Sequence, residues 1–207
     1  MPETNTSNPA DFTFDRWVDE VFAGKPPDWD WLWENALDPT RAEWLLTYPT
    51  RLFLEPDFLV ERFSDEQLRE GLWNLTTNWE LRDSIWDHDL PWPLRRACIR
   101  AMVTLFERLF TREPLSEPLV DTCKMWWDIF RYFGDDPDQK VVNEMCLALK
   151  EILQMDSLDC QIGALHGLGH LDHPGKQDLI NHYLRSHPDL PEEIRSYALA
   201  SIEGNVL

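Results

Sequence analysis

The chain has 207 residues, 43% hydrophobic and 28% charged, with 19 Lys and Arg against 38 Asp and Glu, for a formal charge of −19. Eleven Trp and ten Phe exclude a disordered acidic tail, since rings of that size bury enough surface to offset the entropy of ordering. The negative charge argues against nucleic acid, whose binding rests on Lys and Arg displacing counterions, and against anionic membrane surfaces.

Leucine numbers 29, whereas isoleucine and valine together number 16. That bias favours helix, because β-branched side chains lose rotamer freedom there. With no alternating run bounded by turn residues, the expected fold is all-α. Residues 1–12 are polar and lack the basic start and apolar core of a signal peptide, so they read as a flexible N-terminus. No stretch approaches the roughly 20 apolar residues of a membrane span, and the expected location is the cytoplasm. A single domain is expected over 13–207, Trp-rich and helical from 13 to 90 and of a different character from 91 to 207.

In chain order the periodicity predicts helices over 13–23, 28–36, 39–47, 56–62, 65–76 and 80–87. Further helices are predicted over 92–111, 117–133, 137–154, 158–171, 174–186 and 191–204. Asp38-Pro39 and Asp136-Pro137 each place a capping acid before a first-turn proline. Ser64 with Gln67 reads as a capping box, and Gly134 as a stop after Phe133. In the 92–111 helix, Leu94, Ala97, Cys98, Ala101, Met102, Leu105 and Leu109 form one apolar stripe. Connections are short, so sequential helices should pack as antiparallel neighbours. Cys98, Cys123, Cys146 and Cys160 are spaced 25, 23 and 14 apart, with no C-x-x-C pair. They are expected to be buried, inert thiols.

Near the C-terminus, Ile162–Gly169 can be laid over Ser196–Glu203 at an offset of 198 − 164 = 34, read from Ala164 and Ala198. Ala-Leu coincides in the two copies, Leu168 falls on Ile202, and an amphipathic helix with Leu179, Ile180, Tyr183 and Leu184 lies between. Helix pairs recurring at such a period bury their faces by stacking. Ala164-Leu165-His166-Gly167-Leu168-Gly169, followed by Pro191-Glu192-Glu193-Ile194-Arg195 before Ser196-Tyr197-Ala198-Leu199-Ala200, resembles the HEAT-like repeat family, particularly the short form found in phycobilin lyases. The resemblance covers about 157–205, extends less clearly over 91–156 and is not seen in the first 90 residues. It implies an α-solenoid of antiparallel helix pairs and is nearly silent about activity. The family includes a di-iron hydroxylase whose ligands lie in His-Glu dipeptides, of which this chain has none. It also includes alkylpurine DNA glycosylases with a basic groove.

The sharpest chemical pattern is His166-x-x-x-His170-x-x-His173, with Asp172 adjacent. Positions i and i+4 share a helix face, so His166 and His170, with Asp172 as a further ligand, are candidates for a divalent metal. His173 precedes Pro174 and falls beyond the expected helix end. Structural histidines, satisfied within the fold, are the favoured reading.

Arg95, Arg96, Arg100, Arg108 and Arg112 face a single acid, Glu107, over 91–112, a local charge of +4. By contrast, residues 1–90 carry 7 − 20 = −13 and residues 113–207 carry 7 − 17 = −10. Arg95, Arg96 and Arg100 either bind an acidic or phosphate-bearing motif or pair with nearby acids such as Asp87 and Asp89, and pairing is favoured. Trp29, Trp31 and Trp33 alternate in a way that fits no single helical face, so at least one ring should be exposed as a partner anchor. With Trp44 and Trp126-Trp127 they either line a ligand groove or form a thick aromatic core between short helices, and the core is favoured for most of these rings.

Hydrolase, P-loop, dinucleotide and H-E-x-x-H motifs are all missing from the sequence. The expected function is therefore non-enzymatic protein binding without a cofactor, in the style of an inhibitor or immunity protein that masks a basic partner. The alternative is a metal- or cofactor-handling protein built on His166 and His170.

Overall fold

In the computed structural model Ser64 and Gln67 exchange the hydrogen bonds of a capping box. Gln67 N donates to Ser64 Oγ at 3.4 Å, and Ser64 N donates to Gln67 Oε1 at 3.1 Å. The structure describes residues 13–22, 44–77 and 79–206. Among them are eleven α-helices and no strand, so the all-α expectation holds there. These are α1 (Phe14–Phe22), α2 (Trp44–Leu54), α3 (Asp57–Arg62), α4 (Asp65–Thr77), α5 (Trp79–Trp86) and α6 (Trp92–Leu105). They continue as α7 (Glu117–Met125), α8 (Gln139–Ile152), α9 (Leu158–His170), α10 (Lys176–Ser186) and α11 (Glu192–Ile202). The flexible start over 1–12, the 28–36 helix, the Asp38-Pro39 cap and Trp29, Trp31 and Trp33 lie outside the described residues.

Several boundaries differ from expectation, each for a local reason. The helix expected to end at 47 runs through Pro49 to Leu54 as α2, and Thr50 Oγ1 donates to the Leu46 carbonyl at 2.5 Å in that turn. The 92–111 helix loosens at its end into a π-turn, Phe106–Phe110, in which Thr111 N donates to Phe106 O at 3.1 Å. Asp138, rather than Asp136, caps α8, its carboxylate accepting from Lys140 N at 2.9 Å. The helix expected over 117–133 stops at Met125. Beyond it the chain tightens into three-residue turns, with Asp128 N bonded to Met125 O and Arg131 N to Asp128 O, while the Trp86 indole N–H donates to the Phe130 carbonyl at 2.9 Å.

The helices pack in two rows. α6 lies between α2 and α8, and the other row runs α1, α4, α7, α9 and α11, each on the next. α8 meets α9, α10 meets α11, and α5 bridges α2, α4 and α6. One hydrophobic cluster runs between the rows from Phe14 to Ala198. Trp126 is its aromatic centre, edge-on to Phe53 at 5.5 Å and near Phe110 and Phe130, and Trp127 is buried beside it. Burying each such ring contributes about 1.5–3 kcal/mol. All four cysteines are buried and free, as expected, and burial pushes the Cys98 thiol up to about 12.

The second row closes tightly because α9 is rich in glycine. A Cβ on Gly163 would stand 2.7 Å from the Cys123 carbonyl oxygen, and one on Gly167 would stand 2.8 Å from Trp127 Cβ. Gly163→Ala should therefore lower stability by about 1–2 kcal/mol, even though alanine is the better helix former, because a backbone oxygen cannot swing aside. Chemical denaturation of the two proteins checks this; an equal or higher midpoint for the variant would contradict the close approach.

Candidate functional site

The arginine helix resolves into ion pairs. Arg95, only 4% exposed, donates to Asp138 Oδ2 at 3.0 Å and to the carbonyls of Ile85 and Leu90. Arg96 meets Glu144 at 2.9 Å, and Arg100 reaches Glu151 at 2.6 Å with Glu144 at 3.7 Å. Arg108 pairs with Asp57 and donates to the Leu54 carbonyl. The pairing expected of these arginines is present, but with Asp138, Glu144 and Glu151 in place of Asp87 and Asp89. The cause is the packing of α6 along α8, which lays 95, 96 and 100 against 138, 144 and 151. Asp87 instead accepts the backbone N–H of Asp89 in a local turn. Asp138 is held below the usual carboxylate range: burial opposes ionisation, but the Lys140 N–H and the Arg95 guanidinium outweigh it.

A second constellation forms where α9 meets the turns after α7. His166 and His170 lie one helical turn apart, with ring centroids 4.7 Å apart and edge-to-face. The carboxylate that joins them is Asp128, and one donor atom from each of the three lies within 4.8 Å of the others. His170 Nε2 stands 3.3 Å from Asp128 Oδ1. Asp172, which the sequence sets beside His170, is exposed on the rim of the adjoining cleft and does not join this group. His173 lies past the end of α9, as the sequence suggests, with Nε2 3.1 Å from Asn143 Oδ1 and Nδ1 accepting from Gly175 N. Asp128 was missed because it is 38 residues from His166 (166 − 128), in a segment whose aromatic spacing reads as uninterrupted helix.

His166 is 1% exposed. Its Nδ1 is 2.6 Å from the Tyr197 hydroxyl on α11, and its Nε2 is buried with no hydrogen-bond partner. Burial first, then the neighbouring His170 and Lys124, pushes its pKa down from 6.5 to about 4 against the pull of Asp128. His170 is lowered too, by burial and by Arg131 and Lys176, again against Asp128. His166 is therefore neutral at neutral pH, and His170 is shifted toward its neutral form. His170 also lines a cleft of about 230 Å³ with Trp86, Trp127, Phe130, Arg131 and Leu171 among its walls. Phe133, next in sequence to the lining residue Tyr132, is 71% exposed, with the Arg82 and Arg131 guanidiniums 5.4 and 5.9 Å from its ring.

Among the described residues no helix is long and apolar enough to cross a membrane. No family model, curated protein or solved structure matches this chain.

Two outcomes follow from the geometry. Asp138→Ala removes a helix cap and strands a buried guanidinium that keeps only its two carbonyl acceptors, so it should cost about 2–4 kcal/mol. Glu55→Ala, which breaks the Arg51–Glu55 pair with both side chains more than half exposed, should cost under about 1 kcal/mol. Urea unfolding of both variants reads the difference, and equal losses would contradict it. In acid, His166 has a folded pKa of about 4, below its ordinary 6.5, so the unfolded chain binds the extra proton first. The stability present above pH 6.5 should then fall progressively toward pH 4, with His170 adding in the same direction. Melting temperatures of chelator-treated protein across that window should show a slope that flattens in His166→Gln; an unchanged slope would contradict it.

Proposed function

We propose that the protein is a non-enzymatic binding module, a short solenoid of HEAT-like helix pairs whose acidic surface masks a basic protein partner in the manner of an inhibitor or immunity protein. Support for the repeat comes from the packing order. Reading α6/α7, α8/α9 and α10/α11 as pairs, first helices meet as α6 on α8 and second helices as α7 on α9 on α11. The starts of α9 and α11 are 192 − 158 = 34 residues apart, the offset at which their sequences align. Four buried free thiols are in keeping with a reducing cytoplasm.

The observation that carries the reading is the fate of the basic strip. Arg95, Arg96, Arg100 and Arg108 are matched by Asp138, Glu144, Glu151 and Asp57, so four of the five arginines of the basic segment are spent within the fold and Arg112 alone of them is left to an anionic partner. The excess of 38 acids over 19 bases is left to the rest of the chain. Opposite fields steer encounter and set its salt dependence. Immobilised protein offered native lysate at low ionic strength should retain a basic polypeptide that high salt releases. The purified pair should then associate more slowly as salt rises. Retention of no basic polypeptide, or association indifferent to salt, would overturn the proposal.

A further inference from the structure

The geometry points to a divalent transition-metal site formed by Asp128, His166 and His170, independent of the partner-binding reading. Donors around a tetrahedral ion at about 2.0–2.1 Å stand roughly 3.4 Å apart. His170 Nε2 and Asp128 Oδ1 already stand 3.3 Å apart, and all three donor atoms fall within 4.8 Å of one another. The backbone under them is fixed, because Gly167 holds α9 against Trp127 and leaves no space for a methyl group.

His166 supplies the independent observation. A simple Asp128–His170 ion pair would explain those two residues, but it leaves His166 Nε2 buried and unpartnered. Nδ1 shares a 2.6 Å hydrogen bond with the Tyr197 hydroxyl, and in the tautomer whose proton is on Nδ1 the lone pair sits on the unpartnered Nε2, ready to ligate. Metal-bound histidines commonly use the second nitrogen in this way, and the outer partner fixes the ring. Tyr197 is thus a positioning residue.

The donor set selects the ion. Two imidazoles and one carboxylate suit zinc, cobalt, nickel or ferrous iron; calcium and magnesium take oxygen ligands, and cuprous copper takes sulfur. Three protein donors leave a position for water or an exogenous ligand. That position has access to solvent, since the Asp128 side chain is 36% exposed and that of His170 16%, and His170 lines the cleft.

The test uses the full chain, with any affinity tag removed and metals stripped by chelator. Zinc is titrated against a chromogenic competitor, and cobalt provides an absorption spectrum. The expected result is one saturable equivalent, a cobalt spectrum of low coordination number and a higher melting temperature. Asp128→Asn and His170→Ala should each weaken uptake at least about tenfold, and Tyr197→Phe about tenfold. Asp172→Asn and His173→Ala should leave it unchanged. Circular dichroism of each chelated variant separates loss of ligand from loss of fold. In the unaltered chain, zinc should protect His170 from diethyl pyrocarbonate. Absence of saturable uptake, uptake that survives Asp128→Asn and His170→Ala, uptake abolished by Asp172→Asn, or unprotected His170 would overturn the site.

Discussion

Gly163 and Gly167 let α9 lie against Cys123 and Trp127 at a distance that no larger residue permits. The rest of the second row follows from that approach. α9 sits between α7 and α11, and its Leu165 and Leu168 are fully buried in the shared core. The glycines forgo about 1 kcal/mol each of helix propensity relative to alanine. What they gain is close packing of α9 on Cys123 and Trp127, both of which are buried. The same approach carries Asp128 to the imidazoles of the facing helix, so core packing and the polar cluster share one geometric cause.

Charge is arranged on a different principle. The first row is tied by a seam of guanidiniums and carboxylates between α6 and α8, of which Arg95–Asp138 is the buried member. A buried pair of this kind is expensive to desolvate, and its worth lies in register: Asp138 caps α8 and holds Arg95 at the same time, so the start of one helix is locked to the side of another. Arg96 and Arg100 continue the seam by covering the buried Glu144, and Arg100–Glu151 carries it to solvent, where a pair adds little. The only basic stretch of an acidic chain is thereby turned into structure.

Local signals were the most legible. The capping box at Ser64, the helix starts before Trp92 and Glu192 and the apolar stripe of α6 depend on residues within a turn or two of one another. Pairing across elements was half legible. Arg95, Arg96 and Arg100 announced that they needed acids, but Asp87 and Asp89 were only near in sequence, whereas α8 is near in space. The same limit hid Asp128. Trp126, Trp127 and Phe130 have the spacing of a helical face, and nothing within the segment shows that the Trp86 indole takes the Phe130 carbonyl and that i−3 turns replace the helix. Of the metal-ligand pattern, the i, i+4 histidines were visible because one helix makes them neighbours, while the third group depended on how two elements dock.

The alignment of α9 with α11 bears on why the imidazoles are there at all. At the offset of 34, His166 corresponds to Ala200 on α11 and His170 to Gly204 beyond its end, and of the second Ala-Leu pair only Ala198 is buried, so the last copy carries neither ring. A buried imidazole carries a desolvation cost that one hydrogen bond to Tyr197 offsets at only one of its two nitrogens. An apolar side chain would avoid the cost altogether. Holding a neutral, oriented imidazole beside a carboxylate and a second histidine makes physical sense where the free nitrogen has something to bind, and a cation shared with Asp128 and His170 satisfies it at no expense to the core.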